Sequence, residues 1–169
     1  MFPHEQMRIM DYNRVVKDLH DHSKAAFLDA IKQAFTVEMS AGQAKPKQRG
    51  EFGMYLDGQW YRLRINANLV PSDPVARLDV SLLQSNLLEP ILGIQDPRRD
   101  SRIDFVGGIR GLGELEKRVN SGEMQVAFAL YATPMQDLMA VADAGEVMPP
   151  KSTWFEPKLA DGLVSHLLD

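Results

Sequence analysis

The dipeptide Asp57-Gly58 constrains this chain more than any other feature, because strand-like segments flank it on both sides. Glu51–Leu56 and Gln59–Ile65 read as two strands joined by a two-residue type I′ turn, whose twist suits paired strands. The turn length fixes the register. Phe52 faces Leu63 and Met54 faces Tyr61 on one side, while Glu51 faces Arg64 and Tyr55 faces Trp60 on the other. An opposite-charge pair and an aromatic pair fall directly across from each other, each worth roughly 0.2–1 kcal/mol.

Helical spacing takes over elsewhere. Asp21-His22-Ser23 offers an N-cap to a helix over Lys24–Phe35, whose apolar positions include Phe27, Leu28, Ile31, Ala34 and Phe35. Thr36–Met39 reads as a short strand, and the polar stretch Gly42–Arg49 as an exposed loop. From Leu78 to Leu92 apolar residues cover most of a helical circumference, the pattern of a helix buried on more than one side. Pro90 should kink or end that helix, and Gly93 is a natural stop.

Further on, Ile103–Val106 and Val126–Tyr131 read as strands, with a helix carrying Leu112, Leu115 and Val119 between them. A helix around Leu138–Ala142 closes at Gly145, and Leu163–Leu168 reads as a last strand. Met7–Met10 looks extended. The expected fold is α+β: a mixed or mainly antiparallel sheet with the Asp-Gly hairpin and about four to five packed helices. Residues 1–169 fit a single domain.

Composition removes several classes of function. Without cysteine there can be no disulfide, zinc–thiolate site or cysteine nucleophile. The net charge of −4 gives no support to a nucleic-acid partner, which calls for a basic stripe. No run approaches the ~20 apolar residues that span a bilayer, so no membrane partner is expected. With no signal-peptide pattern at the start, the expected location is the cytoplasm.

Four constellations could carry chemistry. Met148 to Lys158, M-P-P-K-S-T-W-F-E-P-K, holds three prolines that exclude a helix and stiffen a loop. That loop would hold Lys151, Ser152 and Thr153 in one shape beside Trp154 and Phe155, a set suited to phosphate or carboxylate. The plain alternative is a structural loop whose aromatics fill the core and whose lysine is solvated. Secondly, a glycine-rich turn from Asp104 through Gly107, Gly108 and Arg110 lies between a strand and a helix N-terminus. Such a turn can bind an anion or serve only backbone geometry, and it matches neither G-x-G-x-x-G nor the Walker pattern.

His20-Asp21-His22 has metal-ligand chemistry but the spacing of a solvated cap; His166 has no partner in sequence, and no metal is expected. Finally, Asn13 and Arg14 could reach a ligand together, or Arg14 could pair on the surface with Asp18 or Asp21. Met135, Met139 and Met148 read as core fillers, with an adaptable pocket as the alternative.

Several phrases together resemble one bacterial family, domain of unknown function 1015, loosely labelled ParB-like. They are Phe2 to Val16 (F-P-H-E-Q-M-R-I-M-D-Y-N-R-V-V), Gln95 to Arg98, Ile103 to Gly108, Ala140 to Gly145, and Met148 to Lys158. The resemblance implies a C-terminal portion of a longer protein, since family members carry an upstream D-G-H-H-R motif that this sequence lacks. It implies a ParB/sulfiredoxin-like, nucleotide-using enzyme, a small-molecule phosphotransferase acting on free serine. In that reading Lys151, Ser152 and Thr153 bind substrate or phosphate, and Arg14 or Arg110 adds positive charge. The cofactor would be a nucleotide in the full-length protein, the partner a small molecule, and the fragment alone would be inactive. A surface left by the missing part would lead the fragment to self-associate. The rival reading is a non-enzymatic regulatory or partner-binding module.

Overall fold

A computed structural model describes residues 8–156. The expected strand over Leu163–Leu168, His166 and the phrase around Phe2-Pro3 lie outside those residues. The fold is α+β, with a six-stranded antiparallel sheet at its centre. In chain order the elements are β1 (Arg8–Met10), β2 (Tyr12–Val16), α1 (Lys24–Ile31), β3 (Phe35–Ser40), β4 (Glu51–Leu56) and β5 (Gln59–Ile65). There follow α2 (Asp79–Leu83), β6 (Ile103–Gly107), α3 (Gly111–Asn120), β7 (Val126–Leu130), α4 (Met135–Asp143) and β8 (Trp154–Glu156). The large sheet runs β3-β5-β4-β7-β2-β6, and β1 pairs with β8 in a separate two-stranded ribbon.

The hairpin has the register its turn dictates. Glu51 lies opposite Arg64 and Tyr55 opposite Trp60. The Arg64 Nη2 to Glu51 Oε1 distance is 2.7 Å, and the Tyr55 and Trp60 rings are 5.1 Å apart. Gly53 in β4 is required by packing, because a Cβ there would run into the Ala44 carbonyl oxygen.

Strand alternation divides the protein into two cores. Phe52, Met54, Leu63, Val16 and Phe128 project to one face, where Phe27 and Ile31 of α1, Leu82 and Leu83 of α2, and Val141 of α4 cover them. Tyr55, Trp60, Val15, Ala127 and Ala129 project to the other, beneath Leu115 and Val119 of α3. There the Trp60 indole donates to Glu116 (2.7 Å) and the Tyr55 hydroxyl to Asn120 (3.0 Å), tying the helix to the sheet.

Three expectations need correction. The first helix ends at Ile31 rather than Phe35, because a tight turn over Lys32–Ala34 intervenes and Phe35 opens β3. Phe35 is buried as expected, but as a strand residue with its ring 5.7 Å from Phe52. The helix beginning at Asp79 widens into a π segment over Gln84–Leu88 before Pro90, and Gly93 closes it at a φ of +68°. Lastly, Trp154 to Glu156 is not loop but β8, pairing antiparallel with β1 so that Met10 faces Trp154. Both aromatics favour strands, and Pro149 and Pro150 before them permit extended backbone. Ser23 does cap α1, its Oγ accepting from the Ala26 amide at 3.2 Å.

One carboxylate is placed at an energetic disadvantage. Asp79 Oδ1 accepts from the Gly50 amide at 2.9 Å, while Oδ2 is buried without a partner. Burial raises its pKa to about 6; the Gly50 amide and Arg49 pull the other way, and Asp137 adds to the rise. The folded state therefore holds this proton more tightly than the unfolded chain does. Its stabilising contribution is complete below the unfolded carboxylate pKa of about 4 and is lost as pH rises through about 6. Urea unfolding across pH 4–8 should show wild-type stability falling by on the order of 2 kcal/mol from this group, and Asp79→Asn should flatten that decline. An unchanged slope in the variant would show that Asp79 titrates normally.

Candidate functional site

Arg14 is the centre of the candidate site. It sits in β2, flanked by β7 and β6, and is only 4% exposed. Asn13 is fully buried beside it, yet adjacent strand residues point to opposite faces, so the two side chains do not reach one ligand together. Asn13 Oδ1 accepts from the Leu130 amide at 2.9 Å, and its Nδ2 donates to Asp11 Oδ2 at 2.6 Å. It completes hydrogen bonding where β2 and β7 stop pairing.

Arg14 does not make the surface salt bridge that its neighbours in sequence allow. It forms no ion pair among the described residues. Its guanidinium donates to the Tyr12 carbonyl and, at 2.9 Å, to the Lys151 carbonyl, and it lies 5.4 Å from the Phe105 ring centre. Burial lowers its pKa to about 10, against the opposing pull of Tyr12, so it stays charged at neutral pH.

The loop that Arg14 holds is shaped by its own hydrogen bonds. The Ser152 hydroxyl donates to the Pro149 carbonyl, and the Thr133 hydroxyl donates to the Ser152 carbonyl at 3.2 Å. Ser152 is thus buried and its hydroxyl already committed, while Thr153 is half-buried. Lys151 has a φ of +57°, a conformation that non-glycine residues seldom adopt, and its side chain is exposed. Its ammonium lies 5.5 Å from the Tyr12 ring centre and 6.0 Å from that of Phe105, forming no ion pair among the described residues.

The glycine-rich turn is built mainly by packing. A Cβ on Gly107 would approach the Trp154 ring to 2.7 Å, and one on Gly108 would strike the Asp11 carboxylate. The Gly108 amide already donates to the Asp11 carbonyl at 2.8 Å. Asp104 faces α3, where Arg118 approaches to 2.8 Å. Burial works against its charge, but Arg118, the Phe105 amide and Lys151 outweigh that and hold its pKa below the ordinary value. Arg110 is exposed, and its side chain makes no hydrogen bond or ion pair among the described residues.

Beyond the end of β7 lies a cleft of about 540 Å³, lined in part by Asp11, Lys45, Thr133 and Met135. None of the first three stood out in the sequence. Asp11 carried one signal: it lies two residues before Asn13 and so shares its side of an extended chain. Met135 and Met139 are exposed rather than core fillers, whereas Met148 packs against the larger core. His20 lies against Gly93, where a Cβ would meet its ring at 2.9 Å. No group of three or more metal-ligating side chains gathers among the described residues, and no helix there is long and apolar enough to cross a membrane.

Residues 1–81 match the model of the family described as Protein of unknown function (DUF1015). The DUF1015 match takes in Asp11, Asn13 and Arg14 and ends within α2, so the Lys151 loop lies beyond it. No curated protein matches the chain. Among solved structures, a free serine kinase in complex with AMP is similar over 90% of this chain and 55% of its own, with a TM-score of 0.54 and 13% identity. A mutant of a free serine kinase in complex with ADP matches over the same shares, with a TM-score of 0.53 and 14% identity. A conserved hypothetical protein from Pyrococcus furiosus matches over 89% of this chain and 56% of its own, with a TM-score of 0.54 and 15% identity. The likeness is one of fold, and the chain spans little more than half the length of these proteins.

The contact between Gly107 and Trp154 gives a direct check on the site. Gly107→Ala should displace the indole and shift tryptophan emission to the red, while Gly113→Ala, where a Cβ meets nothing within 4 Å, should leave it unchanged. Identical spectra from the two variants would show that Trp154 does not rest on the turn.

Proposed function

We propose that this chain supplies a substrate- and phosphate-binding wall to a nucleotide-using, small-molecule phosphotransferase, with free serine as the phosphate acceptor. The observation that carries the reading is the conformation of Lys151. A left-handed backbone at a non-glycine residue costs roughly 1–2 kcal/mol and persists only where the surroundings impose it. Here Arg14 grips the carbonyl of that residue and the Ser152 hydroxyl closes the turn before it. The strain is spent on presenting an ammonium group over the Tyr12 and Phe105 rings, without a carboxylate partner among the described residues. Phosphoryl transfer rests mainly on positioning and on stabilising charge, which a held cation provides. The shared fold of the free serine kinases supports the same reading.

In this assignment Lys151 meets the phosphate and Arg14 sets its position. Ser152, Gly107 and Gly108 shape the site instead of donating to the ligand. Asn13 and Asp104 support the sheet on its opposite face. The committed Ser152 hydroxyl and Gly108 amide favour a second reading, a regulatory module that grips a partner without chemistry.

One substitution separates the two. Lys151→Gly removes the charge and also the backbone strain, so the chain should unfold at the same or a slightly higher urea concentration. The full-length protein, given ATP, ADP or CTP with free serine, should form phosphoserine, and the variant should be at least about tenfold slower. A full-length protein with no turnover, or a variant that retains full turnover, would overturn the catalytic reading.

A further inference from the structure

On the α2 face lies a second pocket, of about 200 Å³, whose walls include Arg14, Phe105, Gln84, Ser85, Pro149 and Pro150. Two of its groups have unmet requirements. The Arg14 guanidinium carries five N–H donors, of which two go to neutral carbonyls, and no carboxylate pairs with it among the described residues. A buried cation satisfied only by neutral acceptors favours an anion beside it.

Gln84 has the opposite need. Its Nε2 donates to the Ile94 carbonyl at 2.7 Å, which fixes the orientation of the amide. Its Oε1 is buried and has no partner. That atom accepts hydrogen bonds only, so what would satisfy it is an O–H or N–H donor. Gln84 also opens the π segment, and such widened turns occur frequently where a helix serves a site.

The remaining walls are largely apolar, with Val80, Leu88 and Phe105 among them. They suit a carbon skeleton better than a fully hydrated inorganic ion. The volume lies below the roughly 300–1,000 Å³ of drug-sized sites, which points to a ligand of only a few carbon atoms.

We propose that this pocket binds a small hydroxycarboxylate, with its carboxylate on Arg14 and its hydroxyl donating to Gln84 Oε1. Pro149 and Pro150 form a stiff wall over it, just before the Lys151 carbonyl that Arg14 also holds. The pocket shares Arg14 with the phosphotransfer reading, but binding there requires neither a nucleotide nor turnover and is tested separately.

The test is an NMR titration of the ¹⁵N-labelled chain, following the Gln84 side-chain amide and the Arg14 Nε–H. Three probes are compared: D-glycerate, propionate and inorganic phosphate. Glycerate should shift both signals saturably and bind about tenfold more tightly than propionate, the worth of one hydrogen bond to a buried acceptor. Gln84→Met should abolish that preference while leaving propionate binding unchanged. Ser85→Trp, at an exposed position in the pocket wall, should block both carboxylates without touching Arg14 or Gln84, and it keeps the test decisive if Gln84→Met does not fold. The proposal is overturned if glycerate gives no saturable shift, if phosphate binds as tightly, or if the preference for glycerate survives either variant. Turnover in the full-length protein can succeed or fail independently of each of these results.

Discussion

A buried guanidinium without a carboxylate partner is the constraint on which the rest of this molecule depends. Burying a cation is costly unless hydrogen-bond acceptors and nearby polarisable groups compensate. Around Arg14 the compensation comes from two carbonyl acceptors and the face of Phe105, its direct cross-strand neighbour. One of those carbonyls belongs to Lys151, so stabilising the cation also fixes the loop before β8. Arg14 thereby helps tie the β1–β8 ribbon to the six-stranded sheet, together with the packing of Trp154 on Gly107 and Tyr12.

The alternation of β2 decides how the candidate residues are distributed. Arg14, Tyr12 and Phe105 serve the face shared with α2, whereas Asn13 and Asp104 serve the face covered by α3. Asn13 completes hydrogen bonding at the end of β7, and Asp104 is engaged by Arg118. Residues adjacent in sequence thus perform unrelated tasks. Residues far apart converge: Thr133, Lys151 and Arg14 meet around one loop. The glycine-rich turn has a role the sequence did not suggest, since Gly107 and Gly108 allow Trp154 and Asp11 to pack against the backbone.

What could be read in advance was local. The hairpin register, including Glu51 with Arg64 and Tyr55 with Trp60, follows from the two residues of its turn. Ser23 was legible as a cap and Gly93 as a stop because each needs only its immediate neighbours. The end of α1 was misplaced because Ala34 and Phe35 continue the helical spacing even though the backbone has already turned. β8 was missed because its partner, β1, lies at the other end of the chain, and strand pairing leaves no mark on either segment alone. For the same reason the cleft lined by Asp11, Lys45 and Thr133 could not be assembled from spacing.

The sequence by itself determined the α+β class, the hairpin and its register, and the capped start of the first helix. Turn geometry, capping and side-chain period act over a few residues, and the chain states them openly. Only the tertiary structure decided that Arg14 is buried rather than solvated, that Ser152 closes a turn rather than facing a ligand, and that Lys151 is held in a left-handed conformation. Those outcomes depend on contacts between segments as much as 137 residues apart. Burial, and with it the strength of every charge and hydrogen bond at the site, exists only once those segments have met.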